Sequence, residues 1–169
     1  MRKSLILTVI SLLTAVSVQA QKFALVDMEY ILGNIPAYEQ ANQQIENASK
    51  QWQAEVDKLA QEAKKLYADY QAKVESMGKA DRAKSEEAVI AKEKAASDLR
   101  RKYFGPEGEL YKKREQLLQP IEDEVYEAVK VIATRRGYAA VIDRASASSI
   151  LFASPDIDIS DEVLQQMGY

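Results

Sequence analysis

The sequence predicts an α+β fold that is mostly α-helical, with a long coiled-coil hairpin emerging from a small β body. Two short apolar segments, 23–27 and 138–143, have the composition of strands and lie near the two ends of the chain. Residues 37–136, between them, are highly charged and carry apolar residues at steps of three and four. The end segments alone are too small for a stable sheet, so we expect other copies of the chain to complete the body.

The first twenty residues have the features of a secretory signal peptide. A positive start, Met1-Arg2-Lys3, precedes an apolar run from Leu5 to Val18 that is too short for a lasting membrane span. Val18-Gln19-Ala20 then places small or short residues where a signal peptidase reads the chain. We predict cleavage after Ala20 and export of a mature chain that begins at Gln21. An uncleaved anchor helix is the alternative.

The composition excludes several classes of function. The chain has no cysteine and no histidine, so no disulfide scaffold and no Ser-His-Asp or Cys-His site can form. A zinc site would need carboxylates alone, which is unusual. The net charge of −3, which becomes −5 without Arg2 and Lys3, argues against nucleic acid as the main partner. Without an acid-base pair or a phosphate loop, we predict no enzymatic activity, no cofactor and no metal.

Residues 21–36 are the first part of the predicted body, and a long outgoing helix follows. The strand from Phe23 to Asp27 leads into a short helical turn, and Pro36 suits the first turn of the next helix. That helix would be roughly 60 Å long at 1.5 Å per residue. Its apolar seam has extra steps of four near Trp52 and Tyr70, and it consists of positions 38, 41, 45, 48, 52, 56, 59, 63, 66, 70, 74 and 77.

The hairpin is predicted to turn at residues 78–81, where Gly78 would end one helix and Asp81 would cap the next. From Lys79 to Lys102 there are eight basic and five acidic residues, so the far end of the hairpin has an excess of positive charge. Such an excess would orient the protein toward an anionic membrane surface or an acidic client. An ordinary solvated helix face is the alternative.

The returning half of the hairpin is interrupted at residues 105–108. Two glycines around a proline, Gly105-Pro106-Glu107-Gly108, are incompatible with an undisturbed helix. Counting back from the turn places this break opposite residues 52–56, where the outgoing helix has its first extra step of four. We therefore predict a hinge that involves Trp52, Gly105, Pro106 and Gly108, with Trp52 near Tyr103 and Phe104. A simple surface loop is the alternative.

Residues 137–169 are the second part of the predicted body. Tyr138 to Asp143 and Ser149 to Ala153 have the composition of strands joined by a turn of small residues. A last helix is expected from Ser160, which is a good N-cap residue. With the strand at 23–27, this gives a sheet of three strands.

The chain resembles the Skp (OmpH-like) periplasmic chaperones of outer-membrane proteins, over nearly the whole mature sequence. The residues that carry the resemblance are Phe23-Ala24-Leu25-Val26-Asp27-Met28, Gly78-Lys79-Ala80-Asp81-Arg82-Ala83-Lys84, Gly137-Tyr138-Ala139-Ala140-Val141-Ile142-Asp143 and Asp158-Ile159-Ser160-Asp161-Glu162-Val163-Leu164. The family's best-known members are strongly basic, whereas this chain is mildly acidic. The break at 105–108 is a second departure from the family's pattern.

The resemblance implies a homotrimer in the periplasm, whose three hairpins enclose a cavity that holds unfolded outer-membrane β-barrel chains without ATP. Assembly of the trimeric body would use Phe23, Leu25, Val26, Val141, Ile142, Leu151 and Phe152. Contact with the client or with an anionic membrane would use Met77, Lys79, Arg82 and Lys84. A structural coiled-coil spacer or adaptor of the cell envelope is the alternative function.

Overall fold

A computed structural model describes residues 22–147 and 149–169 of the chain, so the predicted signal peptide, residues 1–20, lies outside the described residues. Two strands, five α-helices and two short 3-10 turns follow one another along this part of the chain. In order, they are β1 (Lys22–Val26), α1 (Met28–Gly33), α2 (Pro36–Lys73), a 3-10 turn (Val74–Ser76), α3 (Lys79–Phe104), α4 (Glu109–Arg136), β2 (Tyr138–Asp143), a second 3-10 turn (Pro155–Ile157) and α5 (Ser160–Met167). The fold is thus mostly helical, as the sequence predicts.

The two predicted end strands, β1 and β2, pair in parallel and form the sheet of the body. In their register Ala24 lies opposite Val141 and Leu25 opposite Ile142. A parallel pair needs a long crossover connection, and here the connection is the entire helical hairpin. The sheet therefore joins the two ends of the helical hairpin.

The predicted third strand at 149–153 is wrong, because these residues form no strand. One edge of β1 is paired with β2, and its other edge is taken by the chain just before α5. There the backbone amide of Ile159 donates to the carbonyl of Leu25 at 2.9 Å, and Leu25 bridges to Asp158. Both edges of β1 are thus in use, and residues 149–153 run past the sheet as irregular backbone.

The core of the body lies between the sheet and three helices. Helix α4 supplies the fully buried Val125 and Ile132, and α1 and α5 cover the remaining sides. The buried members of this core are Ala24, Val26, Ile31, Leu32, Ile35, Val125, Ala128, Ile132, Ile159, Val163 and Leu164. One end of the hairpin is therefore fixed within the body.

The outgoing helix α2 runs 38 residues, or about 57 Å, beside α4 and then α3. The chain reverses through the 3-10 turn Val74–Ser76. The predicted roles of the turn residues are wrong: Gly78 precedes α3 instead of ending α2, and Asp81 lies inside the first turn of α3. A carboxylate in a first turn is favoured by the helix dipole, so Asp81 still stabilises this helix start without capping it.

The returning half consists of two helices, α3 and α4, separated by residues 105–108. The backbone here is tight: the amide of Gly105 donates to the carbonyl of Arg101, and the amide of Gly108 donates to the carbonyl of Gly105 at 2.9 Å. A Cβ built on Gly108 would lie 2.7 Å from the carbonyl oxygen of Tyr103. Glycine is required because the loop folds closely onto the end of α3.

Candidate functional site

The sheet has an inner face that belongs to the core of a single chain. Successive residues of a strand point to opposite faces, so Ala24 and Val26 share one face, and Val141 joins them through its pairing with Ala24. Val26 is buried in the body core and Val141 packs against it. Of the predicted assembly residues, these two therefore serve the fold of one chain.

The opposite face of the sheet is apolar and partly open. Phe23, Leu25 and Ile142 share it, because Leu25 pairs with Ile142. Leu25 is buried beneath a cavity of about 500 Å³ whose wall includes Leu151 and Phe152. We call Phe23, Leu25, Ile142, Leu151 and Phe152 the outer face.

Four of the five side chains on the outer face are unusually exposed for apolar residues. Leu151 is 99% exposed and Phe152 is 85% exposed, whereas Phe23 and Ile142 are 47% and 40% exposed. Single exposed apolar residues are common on protein surfaces, but several on one side of a domain favour a surface for interaction. Of the seven predicted assembly residues, three thus share one face of the sheet, and Leu151 and Phe152 line the cavity over Leu25 together with charged residues such as Asp27 and Arg144.

A polar network holds the ends of the segment that carries Leu151 and Phe152. The guanidinium of Arg144 donates to Asp27 at 3.0 Å and to Asp158 at 3.3 Å. The backbone amide of Arg144 donates to the carbonyl of Val26 at 2.8 Å. The amide of Tyr30, and secondly Arg144, hold the pKa of Asp27 below its usual value. Arg144 is not predictable from the sequence pattern, since an isolated arginine after a strand carries no periodic signal.

The hydroxyl of Ser160 joins the same network from the start of α5. It accepts a hydrogen bond from the amide of Asp27 at 2.8 Å and donates to Asp158 at 2.6 Å. Asp158 also accepts from the amide of Ser160, so Asp158, and not Ser160 as expected, satisfies a donor at the helix start. The network ties β1, α5 and the segment between β2 and α5 together.

The four predicted contact residues at the hairpin tip, Met77, Lys79, Arg82 and Lys84, lie within a short stretch around the turn. Met77 is half-buried, and the other three are exposed. The guanidinium of Arg82 donates to the carbonyl of Met77 at 3.0 Å and so fixes the turn. Within the described ranges, no carboxylate pairs with the three cations. The tip thus presents unpaired positive charge.

The expected contact at the break is present. The rings of Trp52 and Tyr103 stack with centroids 5.0 Å apart and planes 8° from parallel, and Phe104 meets Tyr103 edge-on. The hydroxyl of Tyr103 donates to Glu55 at 2.6 Å, which raises the pKa of that hydroxyl. We call Trp52, Glu55, Tyr103, Phe104 and the loop 105–108 the joint. Glu55 was missed, although it lies one turn after Trp52 on the same helix.

The joint separates two parts of the hairpin that bury different side chains. The proximal arm, residues 36–51 and 109–121, has a small core of Ala41, Ile45 and Leu118. The distal arm, residues 56–102, belongs to neither hydrophobic cluster and buries only Val56, Ala63, Val89 and Ala96. Its helices also meet through Lys92 and Glu62 at 2.6 Å and through Tyr70 and Glu86 at 2.5 Å.

Two kinds of site are not seen in the part of the chain that the structure describes. Acidic side chains there do not converge in a group that could hold a metal ion. None of the helices at 22–147 or 149–169 combines the length and the hydropathy that crossing a bilayer requires. The candidate sites described above are three surfaces: the outer face, the tip and the joint.

Comparisons with known proteins agree with this geometry. The profile of the family described as "Outer membrane protein (OmpH-like)" matches residues 22–167. The Chaperone protein Skp of Yersinia enterocolitica is 29% identical over 166 residues, covering 94% of this chain and 93% of that protein. The Chaperone protein Skp of Pectobacterium atrosepticum is 27% identical over 157 residues, covering 92% of each.

A solved structure shares the fold. It is a Caulobacter crescentus protein described as an OmpH-like outer membrane chaperone, which superposes with a TM-score of 0.66 at 14% identity. The alignment covers 86% of this chain and 83% of that one. At this identity the likeness concerns the fold alone. The profile match, which spans both strands, the whole hairpin and all of α5, shows that the chain belongs to the OmpH-like family.

Proposed function

We propose that this protein is an ATP-independent periplasmic holdase chaperone that binds unfolded outer-membrane β-barrel proteins and prevents their aggregation. The observation that carries the proposal is the long hairpin with a sparse core, joined to a body that leaves Leu151 and Phe152 exposed. A hairpin of this length offers a large surface for many weak contacts with an unfolded chain. Relatives that span almost the whole chain are named as chaperones, which supports a chaperone function for this protein.

The body, residues 21–36 and 137–169, would assemble as a homotrimer through the outer face. A two-stranded sheet is marginal on its own, and copies of the chain would remove its free edge and cover its apolar surface. Phe23, Leu25, Ile142, Leu151 and Phe152 are the proposed interface, while Val26 and Val141 support it from the inner face. Burial of Leu151 and Phe152 would contribute roughly 1.5–3 kcal/mol each.

The arms, residues 37–136, would then surround a shared space that receives the client. Affinity in such a holder is spread over many weak contacts, so no nucleotide or cofactor is needed. Met77, Lys79, Arg82 and Lys84 at the tip are the proposed contacts to the client or to an anionic membrane surface. The protein would reach the periplasm through the signal peptide at residues 1–20, cleaved after Ala20.

An aggregation assay tests the proposal. A urea-unfolded outer-membrane barrel is diluted into buffer with the purified mature chain, residues 21–169, and no nucleotide, and light scattering is followed. We expect suppression of scattering at about three chains per client, which a control protein of similar charge does not reproduce. No suppression across a range of salt concentrations would exclude the chaperone function. It would leave the envelope spacer or adaptor, for which a single folded partner should be recovered in pull-downs.

A further inference from the structure

We propose that Arg144 is a positioning residue for assembly: by bridging two carboxylates it holds the segment 149–157 so that Leu151 and Phe152 can meet a second copy of the chain. Arg144 is not a member of the outer face, so it acts on the interface through the segment. This role rests on the proposed trimer and adds to it the side chain that prepares one chain for association.

The segment 149–157 takes no fixed position from burial. All nine of its residues are exposed or half-buried, and none belongs to the core of the body. The amide of Ile157 donates to the carbonyl of Ser154 at 3.2 Å, within the segment itself. Among the residues that the structure describes, no hydrogen bond joins the segment to the sheet or to a helix. Its position therefore depends on how its two ends are held.

Both ends of the segment are attached to β1. Before it, the amide of Arg144 donates to the carbonyl of Val26 at 2.8 Å, on the edge that β2 occupies. After it, the amide of Ile159 donates to the carbonyl of Leu25 at 2.9 Å, on the other edge. The chain thus crosses from one edge of β1 to the other, and a flexible connection of this length has many possible paths.

The side chain of Arg144 restricts these paths because it spans the two edges. Its Nε and Nη2 each lie 3.0 Å from one oxygen of Asp27, and its Nη1 lies 3.3 Å from an oxygen of Asp158, 14 positions later. The two carboxylates are only 19% and 27% exposed, so water screens these bonds less than those of a fully exposed ion pair. A planar guanidinium holds two carboxylates at a set separation, which a lysine amine does not.

The carboxylate of Asp143 sets the direction in which Arg144 leaves β2. One of its oxygens accepts from the amide of Met28 at 3.2 Å and from the amide of Ala145 at 3.0 Å. The backbone on both sides of Arg144 is therefore tied to the start of α1. The guanidinium is thus aimed by bonds that do not involve the segment 149–157.

The bridge also keeps the segment off the sheet. Between them lies the cavity of about 500 Å³ above Leu25, and its wall includes both Arg144 and Phe152. Apolar side chains gain free energy on leaving water, so an unrestrained segment would place Leu151 and Phe152 onto Leu25 of the same chain. The restrained segment leaves them 99% and 85% exposed. Such preorganisation favours association, because less conformational freedom is lost on binding.

Sedimentation equilibrium of the mature chain, residues 21–169, tests this role with the variant Arg144→Gln. We expect association to weaken roughly threefold per chain, and so roughly thirtyfold in the equilibrium constant for three chains, because each trimer contains three such bridges. The far-ultraviolet circular dichroism should stay that of the wild type at concentrations that keep the chain assembled. Arg135→Gln is the matched control, because Arg135 is similarly exposed and pairs with Glu162 in the body. It should leave association unchanged.

Two further variants separate positioning from a general stabilising effect. Arg144→Lys keeps the charge but loses the fork, so its equilibrium constant should remain about tenfold or more below that of the wild type. Asp158→Asn removes the charged partner at the end of the segment. Combined with Arg144→Gln, it should weaken association no further than Arg144→Gln alone, because the two residues act through one contact.

A trimeric wild type whose association is unchanged in Arg144→Gln would overturn the role of Arg144 and leave the trimer standing. Equal losses in Arg144→Gln and Arg135→Gln, wild-type association of Arg144→Lys, or additive losses in the double variant would also overturn it. A monomeric wild type would contradict the trimer itself, and the role of Arg144 with it, so the two failures are distinguishable.

Discussion

The guanidinium of Arg144 donates to the carboxylate of Asp27 at 3.0 Å, although 117 positions separate the two residues. One residue follows β1 and the other follows β2, so their pairing closes the sheet at the point where the chain leaves for Leu151 and Phe152. The same guanidinium reaches Asp158, near the far end of that segment. The exposed apolar part of the body is therefore held at both ends by one arginine.

The stability of the body should depend on pH through Asp27. The amide of Tyr30 and then Arg144 lower the pKa of Asp27 in the folded chain, so the unfolded chain takes up the proton first. The contribution of Asp27 to the free energy of unfolding is fully present above its unfolded pKa of 3.8. That contribution is lost as the pH falls through the lower pKa of the folded chain. The free energy of unfolding by urea should decrease less on acidification in Asp27→Asn than in the wild type.

A matched variant separates this effect from general acid sensitivity. Asp69, an exposed residue of α2, serves as the control, and Asp69→Asn should follow the wild-type pH dependence. Both variants are compared at one protein concentration, since association would shift the apparent stability. If Asp27→Asn and the wild type lose the same free energy on acidification, Asp27 does not stabilise the body as described.

Leu151→Asp should separate association from folding. Leu151 is 99% exposed within one chain, so the variant should keep the far-ultraviolet circular dichroism of the wild type. A charge buried in the proposed interface should weaken association by roughly tenfold or more. Sedimentation equilibrium at micromolar concentration measures this.

Ile90→Asp controls for the general effect of adding a charge. Ile90 is 63% exposed and lies in the distal arm, far from the body in the chain, so this variant should associate like the wild type. A wild-type chain that is monomeric at micromolar concentration would contradict the trimer, and a Leu151→Asp chain that associates normally would remove Leu151 from the interface.

Alanine at the break should destabilise the hairpin. The sequence alone suggests that replacing Gly105 and Gly108 would stiffen it, but a Cβ at Gly105 would meet the carbonyl of Arg101, and one at Gly108 the carbonyl of Tyr103. We expect either substitution to cost about 1–3 kcal/mol in thermal unfolding. Gly33→Ala is the control: nothing lies within 4 Å of its added Cβ, so it should be neutral or stabilising. Equal melting temperatures for all three variants would show that the loop is not tightly packed.

Charge reversal at the tip tests the membrane contact. Lys79→Glu with Lys84→Glu leaves the bond between Arg82 and Met77 in place while removing two exposed cations. Binding to anionic lipid vesicles in sedimentation assays should fall about tenfold or more, because each basic residue near such a surface contributes about 1 kcal/mol. Reversal of Lys58 and Lys65 in α2 matches the change in net charge. An equal loss in both double variants would mean that net charge, and not the tip, determines binding.

The regular parts of the fold were predictable, because they follow from periodic patterns. The apolar ends indicated the pairing of β1 with β2, and the spacing of the extra step near Trp52 indicated its contact with Tyr103. The composition of residues 149–153 predicts a strand, but composition does not show whether a sheet edge is free. Here the chain before α5 takes the edge of β1.

The polar partners were not predictable for a different reason. Arg144 bonds to Asp27, which is 117 positions away, and Glu55 accepts from Tyr103, which is 48 positions away, and neither residue belongs to a repeating pattern. The roles of Gly78 and Asp81 differ from expectation because α2 ends before the glycine, through a 3-10 turn. Boundaries of helices depend on local hydrogen bonds that a pattern of apolar residues does not specify.

Sedimentation velocity of the mature chain mixed with a freshly diluted, urea-unfolded outer-membrane barrel tests whether this protein holds an unfolded client as a trimer. With the chain and the client labelled with different dyes, we expect one soluble species that contains three chains and one client, formed without nucleotide. A client that pellets while the chain sediments alone, at the rate it shows without client, would rule out the proposed chaperone function.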